Sequence, residues 1–228
     1  MQREQKLLLL KIVSLFSVIR GYNIPIIIIA QYLSAIFIMA PEQRALSILL
    51  DFNIFILVFA SAIAIASGYI INNFYDSQKD LINRPSKSML DRLVSQKTKL
   101  QVYFTLNFIV ALMAWFISWR ALLFFSFYIF LIWFYSHKLK KIVFIGNLSA
   151  ALLAVWPFFA ILLYYYQPTS IEELERHKDH FSVIIAHASF LFLLILIREL
   201  IKDLENLKGD LANNYHTIPV FYGENWSK

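Results

Sequence analysis

The stretch YIINNFYDSQKDLINRP, residues 69–85, closes a long apolar run that starts near Phe52. Continued as a helix, it sets Asn72, Asp76 and Asp80 at i, i+4 and i+8, on one face that drifts by about 40° per step. Asn73 lies beside them. Amides and carboxylates one turn apart are hard oxygen donors of the kind that suits magnesium, which keeps waters and phosphate oxygens in its shell. A helix end meeting water accounts for any one of these aspartates. A regular stripe asks for more, because ionisable groups at membrane depth are costly.

The surrounding chain is membrane-like. Of 228 residues, 59% are hydrophobic and only 16% charged, and the mean hydropathy is positive. This excludes an ordinary soluble domain and reads as an all-α, polytopic transmembrane helical bundle. The absence of cysteine excludes a disulfide framework and a thiolate metal site. The net charge of +6 is spread over loops between apolar runs, which suits anionic headgroups better than nucleic acid. Stretches near the roughly 17–25 residues a spanning helix needs are Ile24–Met39, Phe52–Asn73, Val102–Ser118, Ala121–Tyr135, Ile142–Tyr166 (with Pro157) and Phe181–Asp203. A tight link at Trp119-Arg120 makes the third and fourth a hairpin, and Tyr164, Tyr165 and Tyr166 suit an interfacial belt. Residues 1–20 mix Lys6, Lys11 and Arg20 with apolar side chains, as an interfacial amphipathic segment does. They lack the clean apolar core and cleavage site of a signal peptide.

Counting lysine and arginine sets the topology. Of 21, all but Arg44, Arg120, Arg176 and Lys178 fall on one face of this arrangement. The positive-inside rule puts that face in the cytoplasm. The second acidic cluster, in RELIKDLENLKGD (residues 198–210), then lies on the same side as the first. Glu199, Asp203, Asn206 and Asp210 follow one another at four, three and four residues, again a helical stripe. Two facing acidic stripes repel unless cations lie between them, and a divalent metal bridging an anionic substrate removes the repulsion. Arg84, Lys138, Lys140, Lys141, Arg198 and Lys202 share the same side. Arginine and lysine clamps beside magnesium are what a diphosphate leaving group needs; for any one lysine of HKLKK, a topological anchor is an equal reading.

These residues resemble the UbiA-type intramembrane prenyltransferases. The family's first motif, Asn-Asp-x-x-Asp-x-x-x-Asp followed by Asn-Arg-Pro, reads here NNFYDSQKD and INRP, with Asn73 in place of an aspartate. The second, Asp-x-x-x-Asp, is matched with Asn206 in place of the first aspartate and Asp210 as the second, then Thr217, Pro219, Val220 and Gly223. RGYN (Arg20, Asn23) and YSHKLKK with Gly146-Asn147 resemble two further family motifs, so the similarity covers nearly the whole chain. It implies a magnesium-dependent transfer of a polyprenyl group from an isoprenyl diphosphate to a lipophilic or phosphorylated acceptor. The metal set would be Asn72, Asn73, Asp76, Asp80, Asp203, Asn206 and Asp210, with Asp76, Asp80, Asp203 and Asp210 catalytic. Arg84, Lys138, Lys140, Lys141 and Lys202 would hold diphosphate, and Arg20, Asn23, Tyr135 and Asn147 the acceptor. Met39, Phe55, Phe104, Phe108, Met113 and Phe130 are candidates for the prenyl slot.

RELIKDLENLKGD is most similar to the branch that alkylates geranylgeranylglyceryl phosphate to make ether lipid. An aromatic acceptor, as in quinone or haem-tail synthesis, is the alternative. The resemblance makes residues 1–228 a single membrane prenyltransferase domain in a bacterial or archaeal plasma membrane, with a cytoplasmic active site. It also implies that C-terminal helices are missing, since the family has about nine spans against about six here. Two other classes fit less well. A CDP-alcohol phosphotransferase needs Asp-Gly and Ala-Arg around its first aspartates, which Asp76 lacks. A transporter or ion-binding module places its carboxylates at mid-membrane on broken helices.

Overall fold

The structure, a computed structural model, describes residues 3–165 and 178–227. The interfacial segment is α1 (Arg3–Val18). Next come α2 (Ile24–Ser34), continued by a π turn over Ala35–Met39, then the short α3 (Ala45–Leu49) and the long α4 (Phe52–Asn83). The short α5 (Pro85–Asp91) leads into α6 (Gln96–Ile117), α7 (Trp119–His137) and α8 (Ile145–Tyr165). After the undescribed residues come α9 (Lys178–Glu205), α10 (Leu207–Ala212), α11 (Ile218–Tyr222) and α12 (Glu224–Ser227). Six helical spans are long and apolar enough to cross a membrane. The protein is a multi-pass, all-α integral membrane bundle.

α4 is the central helix. It is 72% buried over its most apolar window, against at most 28% for the other spans. It packs on α2, α6, α7 and α8, while α8 carries α9 on its other side. α4 runs ten residues beyond the apolar span that closes at Asn73, as the helical reading of the acidic stripe expects. At 1.5 Å per residue its 32 residues span about 48 Å, well beyond a hydrocarbon core of about 30 Å. The acidic stripe therefore rides on helix that projects past the apolar layer. Asp51 starts α4 by accepting from the amides of Asn53 and Ile54, and Tyr164 donates to its other oxygen at 3.0 Å. Pro85 ends it, since the residue before a proline is pushed out of the helical region; Arg84 sits at φ −141°, ψ 65°.

The other boundaries shift for similar local reasons. The break between α6 and α7 falls at Ser118, not at Trp119-Arg120. Ser118 is extended and caps α7, its hydroxyl accepting from the Ala121 amide at 3.0 Å. The second acidic stripe is interrupted at Asn206, between α9 and α10. Of the tyrosine cap, Tyr166 lies outside the described residues, as does most of the acidic loop that follows it.

Pro157 inside α8 has no N–H to give the carbonyl one turn back, that of Leu153. The buried Tyr128 of α7 donates to that carbonyl instead, at 3.1 Å. Gln31 of α2 donates to the Pro157 carbonyl at 3.0 Å. The proline thus ties three helices together. Tyr128→Phe should lower stability by about 1–3 kcal/mol, the cost of an unpaired buried carbonyl. In a Pro157→Ala background, where the helix can close its own bond, thermal unfolding should show a smaller loss.

Candidate active site

At the end where α4 projects, its stripe faces α9 across a narrow polar cavity of about 50 Å³. Asn72, Asp76 and Asp80 line it from α4, and Glu199, Lys202, Asp203 and Asn206 from α9 and its end. Arg20, Lys79, Arg84, Tyr135, Lys140 and Asn147 complete most of the wall. The two acidic clusters, separated by more than a hundred residues, meet in one cavity.

The lysines neutralise them. Lys140 donates to Asp76 Oδ1 at 2.7 Å and to Asn72 Oδ1 at 3.1 Å. It stands on a one-turn 3₁₀ helix, Leu139–Lys141, that lies against Gly146. A Cβ on Gly146 would sit 3.1 Å from the Lys140 carbonyl oxygen, a tight contact that glycine relieves. Tyr215 donates to the same Asp76 oxygen at 2.9 Å. Burial and the Asp76 carboxylate push the Tyr215 phenol well above its usual range, so it stays a donor. Lys79 lies 4.5 Å from the centre of the Tyr215 ring and pairs with the fully buried Asp210 at 2.5 Å. Burial pushes the Asp210 carboxyl up, and the Lys79 ammonium pulls it down. Gly209 brings α10 against the end of α4, its amide donating to Asn83 at 2.8 Å. Asn147 donates to Asp203 at 2.7 Å, and Lys202 pairs with Glu199 at 2.6 Å.

Some expected residues lie elsewhere. Asp210 is not in the cavity wall, because the break at Asn206 turns it towards Lys79. Asn73 points away from the cavity; its oxygen accepts from Lys99 at 2.8 Å and its amide donates to Asp91 at 3.0 Å. One residue round the helix from Asn72, it falls on another face. Lys138 is exposed and outside the wall. Lys141 lies 5.3 Å from the Tyr215 ring centre, and its carbonyl accepts from the His216 amide.

Among the described residues no three acidic or histidine side chains are close enough to hold a metal by themselves. The donors fit magnesium in another way. Asp80 meets no hydrogen-bond partner among the described residues, and Asp76 and Asp203 each keep one oxygen without one. These oxygens, the amides of Asn72 and Asn206, waters and substrate phosphate form the mixed oxygen shell that magnesium takes.

A second cavity, of about 560 Å³, runs into the bundle between α2, α4, α7, α8 and α9. Ile26, Ile27, Ala30, Ile65, Ile132, Leu153 and Leu191 give it an apolar wall, and Asn23 and Tyr135 lie along it. It shares Arg20, Asn72, Tyr135, Glu199 and Lys202 with the polar cavity. The candidates for the prenyl slot are not in this wall. Phe55, Phe104, Phe108 and Phe130 are exposed on the outer surface, while Met39 is in the core and Met113 packs against it. Aromatic identity does not say which way a side chain faces.

The UbiA prenyltransferase family model matches residues 28–228. The chain belongs to the UbiA prenyltransferase family. It is 31% identical over 163 residues to the digeranylgeranylglyceryl phosphate synthase of Methanosphaera stadtmanae, covering 71% of this chain and 54% of that protein. The synthase of Methanobrevibacter smithii is 26% identical over 211 residues, covering 90% and 68%. The chain therefore spans half to two-thirds of these UbiA relatives. A UbiA homologue from Archaeoglobus fulgidus, solved bound to GPP and Mg2+, superposes with a TM-score of 0.69 at 16% identity, over 94% of this chain and 71% of that one. A structure described as digeranylgeranylglyceryl phosphate synthase gives 0.68 at 20%, over 94% and 70%. These last two share the fold.

Lys79, Tyr215, Asn83, Asp91 and Lys99 were not among the expected site residues. Lys79 was legible, standing one residue before Asp80 inside the motif. Tyr215 and Asp91 carry no spacing signal. Lys99 is 1% exposed and Asp91 3%, with the Asn73 amide between them and Ser17 of α1 donating to Asp91 at 2.8 Å. Lys99→Met leaves the Asn73 oxygen without its donor, while Asp91 keeps its Asn73 and Ser17 hydrogen bonds, and should cost roughly 1–3 kcal/mol; an unchanged unfolding midpoint in detergent would contradict the bridge.

Proposed function

We propose that this UbiA protein transfers a polyprenyl group from an isoprenyl diphosphate to a glyceryl phosphate acceptor, as its curated relatives' names describe, in a magnesium-dependent reaction of ether-lipid synthesis. The observation that carries the reading is the junction of the two cavities. A polar chamber walled by carboxylates, amides and lysines adjoins an apolar one, the two sharing Arg20, Asn72, Tyr135, Glu199 and Lys202. An amphiphile with a diphosphate head and an isoprenoid tail has that shape and polarity.

Asn72, Asp76, Asp80, Asp203 and Asn206 hold magnesium in this reading, with Asp210 acting through Lys79. Bound there, the metal makes diphosphate a better leaving group. Arg84, Lys140 and Lys202 take the remaining phosphate charge. The bond between the allylic C1 and the diphosphate oxygen breaks with its electron pair on the diphosphate. The acceptor hydroxyl oxygen bonds to C1, and its proton passes to the departing diphosphate. Residues 1–228 act as one membrane domain, and the basic end that carries the site faces the cytoplasm of an archaeal or bacterial cell, as the excess of lysine and arginine supports.

The test uses the purified chain in lipid nanodiscs, labelled geranylgeranyl diphosphate, and glyceryl phosphate and aromatic acceptors. Transfer should require magnesium, favour the glyceryl phosphate, and fall about 100-fold or more in Asp76→Asn and Asp80→Asn. Wild-type turnover in both variants would refute the metal assignment; preference for the aromatic acceptor would refute the ether-lipid reading.

A further inference from the structure

Asp91, the last residue of α5, lies outside the walls of both cavities. Both of its oxygens are taken. Ser17 of α1 donates to Oδ1 at 2.8 Å, and Asn73 of α4 donates to Oδ2 at 3.0 Å. The Asn73 oxygen accepts from Lys99 of α6 at 2.8 Å. The amide thus stands between a buried ammonium and a buried carboxylate, its oxygen to the cation and its N–H to the anion. Only one orientation of the amide satisfies both. Asn73 stands where the motif it resembles has an aspartate, and the carboxylate that balances Lys99 comes from α5 instead. One network joins α1, α4, α5 and α6.

Through α1 this network reaches the cavities. Ser14 and Ser17 share a face of that helix, and Ser14 donates to the Leu90 carbonyl at 2.7 Å. Ser14 and Val18, one turn apart, are buried, and α1 packs on α5 and α4. Two residues after Val18 comes Arg20, with a left-handed backbone at φ 49°, ψ 51°. A residue other than glycine keeps that conformation only where its surroundings over-determine it. From the α2 side, the Asn23 amide donates to the Arg20 carbonyl at 2.8 Å, and the Asn23 side chain donates to the Tyr69 hydroxyl at 3.4 Å. The Arg20 guanidinium lies 5.1 Å from the centre of the Tyr69 ring. From the α1 side, the Arg20 amide donates to the Ser17 carbonyl at 3.1 Å. The Phe16 ring lies so close to Gly21 that a Cβ there would overlap it. Held from both sides, Arg20 lines both the polar and the apolar cavity.

We propose that Asp91 is a positioning residue for this site: by holding Ser17 it fixes α1, and through α1 it sets the strained turn that carries Arg20 into the cavity walls. The assignment rests on the prenyl-transfer reading above. Ser17 is where this role separates from stability. Without the Ser17 hydroxyl, Asp91, Asn73 and Lys99 keep the hydrogen bonds they make with one another, so the bundle stands. What is lost is the tie between that network and the turn at Arg20. A network that served only to hold the fold would not make the placing of Arg20 depend on Ser17.

The experiment measures prenyl transfer by the purified chain in lipid nanodiscs, with donor and acceptor varied in turn. The variants are Ser17→Ala, Ser17→Thr, Arg20→Gln and the pair Ser17→Ala/Arg20→Gln. Ser17→Ala should raise about fivefold whichever KM Arg20→Gln raises, as the loss of one hydrogen bond does, and leave kcat within twofold. Ser17→Thr, which keeps the hydroxyl, should restore that KM, and the pair should be no worse than Arg20→Gln alone. Asp91→Asn should raise the same KM and also lower the unfolding midpoint, because Lys99 loses its buried counter-charge. Adding Asn73→Asp should recover both, since exchanging amide and carboxylate keeps every hydrogen bond of the network. The chain has no cysteine, so Val18→Cys gives a single thiol beneath the docked α1. In that background Ser17→Ala should speed maleimide labelling about fivefold. The proposal is overturned if neither KM responds to Arg20→Gln, if Ser17→Ala leaves that KM unchanged, if the losses multiply in the pair, or if labelling keeps the parent rate. Faster labelling in a chain that transfers no prenyl group would support the fastening of α1 by Asp91 and count against prenyl transfer.

Discussion

A carboxylate at the edge of an apolar bundle must be paired, and the pairing of Asp76 organises everything around it. One of its oxygens takes both the Lys140 ammonium and the Tyr215 hydroxyl. Removing one partner of a buried charge costs several kcal/mol, so such a contact constrains every element that supplies it. Lys140 brings the turn between α7 and α8 onto the end of α4. Tyr215 brings the segment after α10 back over the same point, where the His216 amide bonds the Lys141 carbonyl. The neighbouring Lys79–Asp210 pair fixes α10 to α4 in the same way. The cavity exists because these contacts close around it.

The same contacts suit a site that must exchange cations. The lysines lie where positive charge is needed between two acidic helices, and Asp80 and one oxygen each of Asp76 and Asp203 still face the cavity unpaired. A metal and a diphosphate bound together would bring matched charge, and Lys140, now on Asp76 and Asn72, stands within the same wall to meet a phosphate oxygen. The apolar chamber beside the polar one shares Arg20, Asn72, Tyr135, Glu199 and Lys202 with it, so a polar and an apolar wall meet along one line.

Much of this was readable from spacing. The stripe Asn72–Asp76–Asp80 follows from a helical period, and the count of lysines and arginines put both acidic clusters on one side before any packing was known. What spacing did not carry was direction and partner. HKLKK reads equally as an anchor and as a site; in the fold Lys140 turns inward onto Asp76 and Asn72 while Lys138 stays exposed. Asn73 sits inside the motif yet one residue off the stripe, and its partners Lys99 and Asp91 come from α6 and α5. The phenylalanines expected in the slot face outward, while the chamber is made by isoleucines and small residues of α2, α4, α7 and α8 that look like any other apolar positions. The helical reading of the stripe already carried α4 beyond its apolar span to Asp80; its packing against α5 and α10 was not in the spacing.

The central claim is that the two acidic stripes form one magnesium and diphosphate site. Manganese electron paramagnetic resonance on the purified chain, with and without geranyl thiolodiphosphate, tests it most directly. The account predicts tight manganese binding only when the analogue is present, lost in both Asp80→Asn on α4 and Asp203→Asn on α9. Manganese bound equally well without the analogue, or retained when either stripe is disabled, would contradict it.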